Sequence, residues 1–107
     1  MYLLNAFSLN MVTTFPVKVR FQLIPIEDAA EHLLDGLVSA VGHADTAAVF
    51  SQLLGMPVPC ERRTVHLRPT DCAILGQYTG PRLTEGATTL PEGAEIRWYL
   101  VSTERCL

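Results

Sequence analysis

Val17-Lys18-Val19-Arg20-Phe21-Gln22-Leu23-Ile24 alternates apolar and polar side chains at period two, and Pro16 and Pro25 bracket the run. This is the pattern of a half-buried strand, and it is the clearest strand signal in the chain. It commits the fold to a sheet. The segments around it supply the rest. Met1 to Asn5 reads as a short buried strand running into a polar loop. Ile26 to Val41 places Glu27, Asp28 and Glu31 early and repeats Ala30, Leu33, Leu34, Leu37 and Val41 at helical spacing. These features predict one helix ended by Gly42. A second helix is predicted from near His43 to Leu54, with Asp45 in its first turn, an apolar stripe of Ala47, Phe50 and Leu54, and Gly55 and Pro57 as the stop.

Beyond Pro59, Thr64 to Leu67 and Cys72 to Leu75 read as two strands joined by the turn Pro69-Thr70-Asp71. Tyr78 to Glu95 is rich in Gly, Pro, Thr and Glu and reads as loop. Ile96 to Val101 closes the chain as a strand. The predicted order is therefore strand, strand, helix, helix, strand, strand, strand. That order describes a single α/β or α+β domain over residues 1–107, with helices flanking a mixed, mostly five-stranded sheet. Inside the loop, Leu83-Thr84-Glu85-Gly86-Ala87 is nearly repeated as Leu90-Pro91-Glu92-Gly93-Ala94, which turn chemistry explains as two successive turns, each closed by a glycine.

A chain of 107 residues holds one core without staples. Its 8 Lys and Arg against 11 Asp and Glu leave a formal charge of -3, which argues against a protein that grips long nucleic acid by its phosphates. Seven of the eight cations are Arg, the side chain for planar phosphate or carboxylate recognition, although coding bias would give the same skew. Cys60, Cys72 and Cys106 cannot all pair within the chain and make no zinc-type spacing, which points to a reducing cytosol and no metal. The apolar start lacks the cation and unbroken run of a signal peptide, and no stretch approaches the ~18 residues that cross a bilayer. A cytoplasmic protein without a membrane partner is expected.

Three groups of residues carry chemical possibilities. His43 opens the second helix, where backbone N–H groups favour an anion, so a bound phosphate would lie beside an imidazole. Asn5, Ser8 and Asn10 gather hydrogen-bonding side chains in one short loop, able to orient a hydroxyl or to satisfy the turn itself. Arg62-Arg63 and Arg82, with Glu85 three residues after it, put guanidinium and carboxylate groups in or beside irregular backbone, either as a surface ion pair or as groups acting on a phosphate. No Walker, dinucleotide, zinc-protease or serine-hydrolase motif is present. A histidine, arginines, hydroxyl and amide donors and a glutamate are what cleavage of an RNA phosphodiester by its own 2′-hydroxyl requires.

The strings Tyr2-Leu3-Leu4-Asn5-Ala6-Phe7-Ser8-Leu9-Asn10-Met11, Val41-Gly42-His43-Ala44-Asp45-Thr46 and Gly80-Pro81-Arg82-Leu83-Thr84-Glu85-Gly86 resemble the viral and bacterial ring nuclease family, which includes the type III anti-CRISPR protein of archaeal viruses. The resemblance implies an enzyme that linearises cyclic tetra-adenylate, the second messenger of type III CRISPR complexes. It also implies a homodimer enclosing the ring, with no metal or other cofactor. Carried over by position, His43 matches the general acid on the 5′-oxygen, and Arg82 and Glu85 match the arginine and glutamate of the active site. Asn5, Ser8 and Asn10 match the ligand loop, and Gln77 matches a ligand-contacting glutamine. Arg62 best fits the ligand arginine by its spacing to Val65 and Leu67, with Arg63 as the other register. The asparagine usual before that arginine is Glu61 here. The resemblance also selects Glu85 over Glu92. A cyclic-oligonucleotide-binding protein that holds the ring without cutting it is the alternative.

Overall fold

The structure, a computed structural model, describes residues 1–105, so Cys106 lies outside the described residues. In chain order the elements are β1 (Tyr2–Leu4), a single 3-10 turn (Leu9–Met11), β2 (Val17–Ile24), α1 (Ile26–Leu33), β3 (Val38–Ala40), α2 (Ala44–Leu54), β4 (Cys72–Thr79) and β5 (Glu95–Arg105). One five-stranded sheet runs β2-β5-β4-β1-β3. It is mixed: β1 pairs parallel with both β3 and β4, and β5 pairs antiparallel with β4 and β2. The expected α+β class and strand number are both present.

Two predicted elements differ. The first helix ends at Leu33, not Val41, and the residues beyond it turn at Gly36, whose φ of +149° a side chain would disfavour. Leu34 is 73% exposed, so it never belonged to the core stripe that its spacing suggests. Val38 to Ala40 instead form β3, because β1 has a free edge that only an extended segment satisfies. Ser39 at its centre is buried, donating to the Pro59 carbonyl at 2.5 Å and accepting from the Val41 N–H at 3.2 Å. Gly42 accordingly ends no helix.

The second correction concerns Thr64 to Leu67, which is not a strand of the sheet. It makes only an isolated bridge from Leu67 to Val12, with the Leu67 N–H donating to the Met11 carbonyl at 2.7 Å. Its alternation was nevertheless a burial signal: Val65 and Leu67 are buried while Thr64 and His66 are exposed. The segment lies over the sheet instead of extending it. β4 and β5 run longer than predicted, taking up Tyr78, Thr79 and Glu95 from the loop and continuing past Val101.

Two apolar layers follow from the pleat. On one face Leu3, Ile24, Ile74 and Trp98 pack with Ala29 and Leu33 of α1 and Ala47, Phe50 and Leu54 of α2. Phe50 and Trp98 stand with ring centroids 4.9 Å apart over Gly76. On the opposite face Leu4, Ala73, Leu75 and Val101 are covered by Val65 and Leu67, with Phe7 and Met11 at the margin. No helix contributes to this second layer, and it thins toward β2, where Phe21 and Leu23 are 46% and 63% exposed.

Candidate active site

The parallel trio β3-β1-β4 aligns Ala40, Leu4 and Leu75 in one register; β3 and β1 end there, and β4 continues beside β5. In open sheets with parallel strands, the crevice beyond their carboxyl ends is where ligands bind. Here that end receives the Asn5–Asn10 loop, the Gly42-His43 entry into α2 and the far half of β4. His43 is the N-cap of α2, in extended conformation, and its side chain makes no capping bond. The N–H groups that begin α2 have no intrahelical partner, as at any helix start, and the His43 side chain does not cap them.

A cleft of about 670 Å³ opens at this point, lined by His43, Asp45, Thr46, Tyr78, Arg82, Leu83 and Glu85. It brings together three site residues expected from sequence, His43, Arg82 and Glu85, which are separated by about forty positions in the chain. Glu92 is not among the lining residues. The echoed segments are indeed twin turns: Ala87 N–H donates to the Thr84 carbonyl at 3.0 Å and Ala94 N–H to the Pro91 carbonyl at 3.1 Å, with Gly86 and Gly93 both at φ +80°. Only the first turn borders the cleft.

The two adjacent arginines diverge. Arg62 lies across Gly42, its Nε donating to the Gly42 carbonyl at 3.1 Å, and its Cγ would stand 3.2 Å from a β-carbon at that position. A β-carbon at 42 would therefore press on the exposed Arg62 side chain, which would have to shift slightly. Arg63 turns toward the sheet, its Nε donating to the Ser39 carbonyl at 2.7 Å. Arg62 is thus the one of the two bonded to the residue that precedes His43 in the chain. Among the described residues the ion pairs are Arg68–Asp71 and Arg97–Glu95, and neither Arg62 nor Arg82 belongs to them.

The other expected ligand residues stand outside the cleft lining. Ser8 caps the 3-10 turn, its hydroxyl accepting from the Asn10 N–H at 3.3 Å, which leaves the hydroxyl proton free to donate outward. Asn10 is exposed and Asn5 half-buried. Gln77 is exposed on β4, pointing to the face opposite the helices, with its amide 3.4 Å from the Tyr78 carbonyl. Asp45, Thr46, Tyr78 and Leu83 line the cleft without having been singled out from sequence. Asp45 reads as an ordinary first-turn acid, and nothing in the sequence signals its partner across the cleft. Among the described residues no group of three or more His, Cys, Asp or Glu side chains is arranged to hold a metal ion, and no helix is long and apolar enough to cross a membrane.

Fold and cleft together define an α+β domain with a polar cleft of mixed charge at the carboxyl ends of its parallel strands. The chain belongs to the STIV B116-like family, whose model matches residues 1–100. Among solved structures it is similar to B116 of Sulfolobus turreted icosahedral virus, with a TM-score of 0.79 and 29% identity over 94% of this chain and 97% of that one. No curated protein matches.

Proposed function

We propose that the chain is a ring nuclease that cleaves cyclic tetra-adenylate to linear di-adenylates and so switches off type III CRISPR signalling. The observation that carries the reading is the meeting of His43, at an uncapped helix end, with Arg82 and Glu85 in one cleft. The resemblance of the three sequence strings supplies the substrate. In this mechanism the N-terminus of α2 and Arg82 hold one phosphate, with Arg62 adding charge from the side of Gly42. Ser8 and Asn10 fix a ribose so that its 2′-oxygen stands in line with the 5′-oxygen that leaves. The 2′-oxygen attacks phosphorus as its proton is released to solvent, the P–O5′ bond breaks, and His43 gives its own proton to the departing oxygen. The products of each cut are a 2′,3′-cyclic phosphate and a free 5′-hydroxyl. Glu85 orients the imidazole or the attacking hydroxyl. Two such cuts convert the tetramer into two dimers.

A homodimer fits this reading, because a closed tetranucleotide presents two-fold-related phosphates to two copies of one site. The exposed Phe21 and Leu23 of β2 give such a dimer an apolar surface to bury. The small number of arginines suffices when symmetry doubles them, so the charge of -3 is compatible with a compact polyanion.

Incubation of labelled cyclic tetra-adenylate with the protein in excess EDTA tests the proposal. The wild-type chain should yield di-adenylates, and His43→Ala should bind the ring while turning it over at least ~100-fold more slowly. Recovery of intact ring from the wild-type protein would make it a binding protein instead, and an unimpaired His43→Ala would remove His43 from the chemistry.

A further inference from the structure

The segment from Gly80 to Gly86 carries Arg82 and Glu85, and it is fastened at both ends by side chains that lie outside it. At its start the Tyr78 hydroxyl donates to the Pro81 carbonyl. At its end the Gly86 N–H donates to Asp45 Oδ1 at 2.9 Å, a bond between residues 41 positions apart. Tyr78 stands on β4, and Asp45 stands in the first turn of α2, two residues beyond His43. The second fastening therefore links the helix end that bears His43 directly to the turn that bears Glu85.

A carboxylate on the wall of a cleft that receives phosphate opposes binding by its charge, so Asp45 is a poor candidate for a ligand contact. Its position at a helix N-terminus accounts for a favourable dipole interaction but not for the bond to Gly86. The loop, in contrast, needs an external hold. Gly80 and Gly86 both sit at positive φ, and Arg82, Thr84 and Glu85 are exposed, so little packing restrains the segment. Without an anchor its side chains would sample many positions relative to His43.

We infer that Asp45 is a positioning residue: by accepting the Gly86 N–H it holds Arg82 and Glu85 opposite His43. This inference rests on the activity proposed above. A charged acceptor is not essential to the role, since any side-chain carbonyl oxygen at that place accepts the same N–H. That property separates positioning from a contribution of the negative charge to chemistry.

The test compares wild type, Asp45→Ala and Asp45→Asn in single-turnover cleavage at saturating cyclic tetra-adenylate, together with the hydrogen-exchange rate of the Gly86 amide by NMR in the free proteins. Asp45→Ala should cleave about tenfold or more slowly, since a small misplacement of reacting groups is costly, whereas Asp45→Asn should stay within about threefold of wild type. The Gly86 amide should exchange faster in Asp45→Ala and not in Asp45→Asn. Wild-type speed in Asp45→Ala, equal impairment of Asp45→Asn, or unchanged Gly86 exchange overturns the inference. A wild-type protein that leaves the ring intact overturns the activity alone, and the exchange rates then decide whether Asp45 holds the loop.

Discussion

Arg62 and Arg63 carry the same guanidinium on neighbouring residues, yet one donates to the chain just beyond β3 and the other to the middle of β3. Arg62 lies over Gly42, the residue before His43, and Arg63 grips the carbonyl of buried Ser39 in the edge strand β3. Their removal should accordingly be felt in different measurements. Arg62→Ala should weaken binding of cyclic tetra-adenylate about tenfold, through loss of a charge-assisted contact, with little change in melting. Arg63→Ala should cost about 1 kcal/mol of folding stability, seen in denaturant titration, with ring affinity nearly kept. Sequence spacing reaches this pair but does not assign the two duties, because adjacent residues on irregular backbone point wherever local torsions send them. Ser8 shows the same limit. Its type, its loop and a role in satisfying the turn backbone were legible, and the 3-10 form of the turn that it caps was not.

At the scale of elements, the sheet depends on a glycine inside a strand. A β-carbon at Gly76 would lie 2.6 Å from Phe50 Cζ and 2.8 Å from Trp98 Cζ3, both in the closely packed layer under α2. Gly76→Ala should therefore destabilise the fold by about 1–3 kcal/mol, measured by chemical denaturation, because two ring systems must shift to admit one methyl group. β2, α2 and the five-stranded mixed sheet were legible in the sequence, since each has a strong period or a clear stop. The end of α1 was not. Leu37 and Val41 continue the helical spacing of Leu33 and Leu34 by coincidence, and the competing requirement, a parallel partner for β1, is non-local. Thr64 to Leu67 fails for the converse reason: alternation reports burial on one side, and a segment laid across a sheet satisfies it as well as a strand within the sheet.

The whole molecule is elongated, about 44 × 24 × 24 Å, and its helices cover one face of the sheet only. The other face is clothed by irregular chain and left bare near β2, where Phe21 meets Phe7 edge-on at 5.2 Å and Leu23 has no cover. Analytical ultracentrifugation should find about twice the 11.8 kDa chain mass, and Phe21→Glu with Leu23→Glu should shift the protein to monomer. A wild-type monomer would remove the two-fold site from the proposed mechanism. The strand order carries one more implication. β1 is only three residues long and comes first, yet it lies between β3 and β4, whose residues follow some 35 and 70 positions later. A strand this short gains little until both neighbours arrive, so closing the parallel half of the sheet requires distant parts of the chain to meet before any reward is felt. Since the same half assembles the cleft, the site should be among the last features to form on the ribosome, after β4 has emerged.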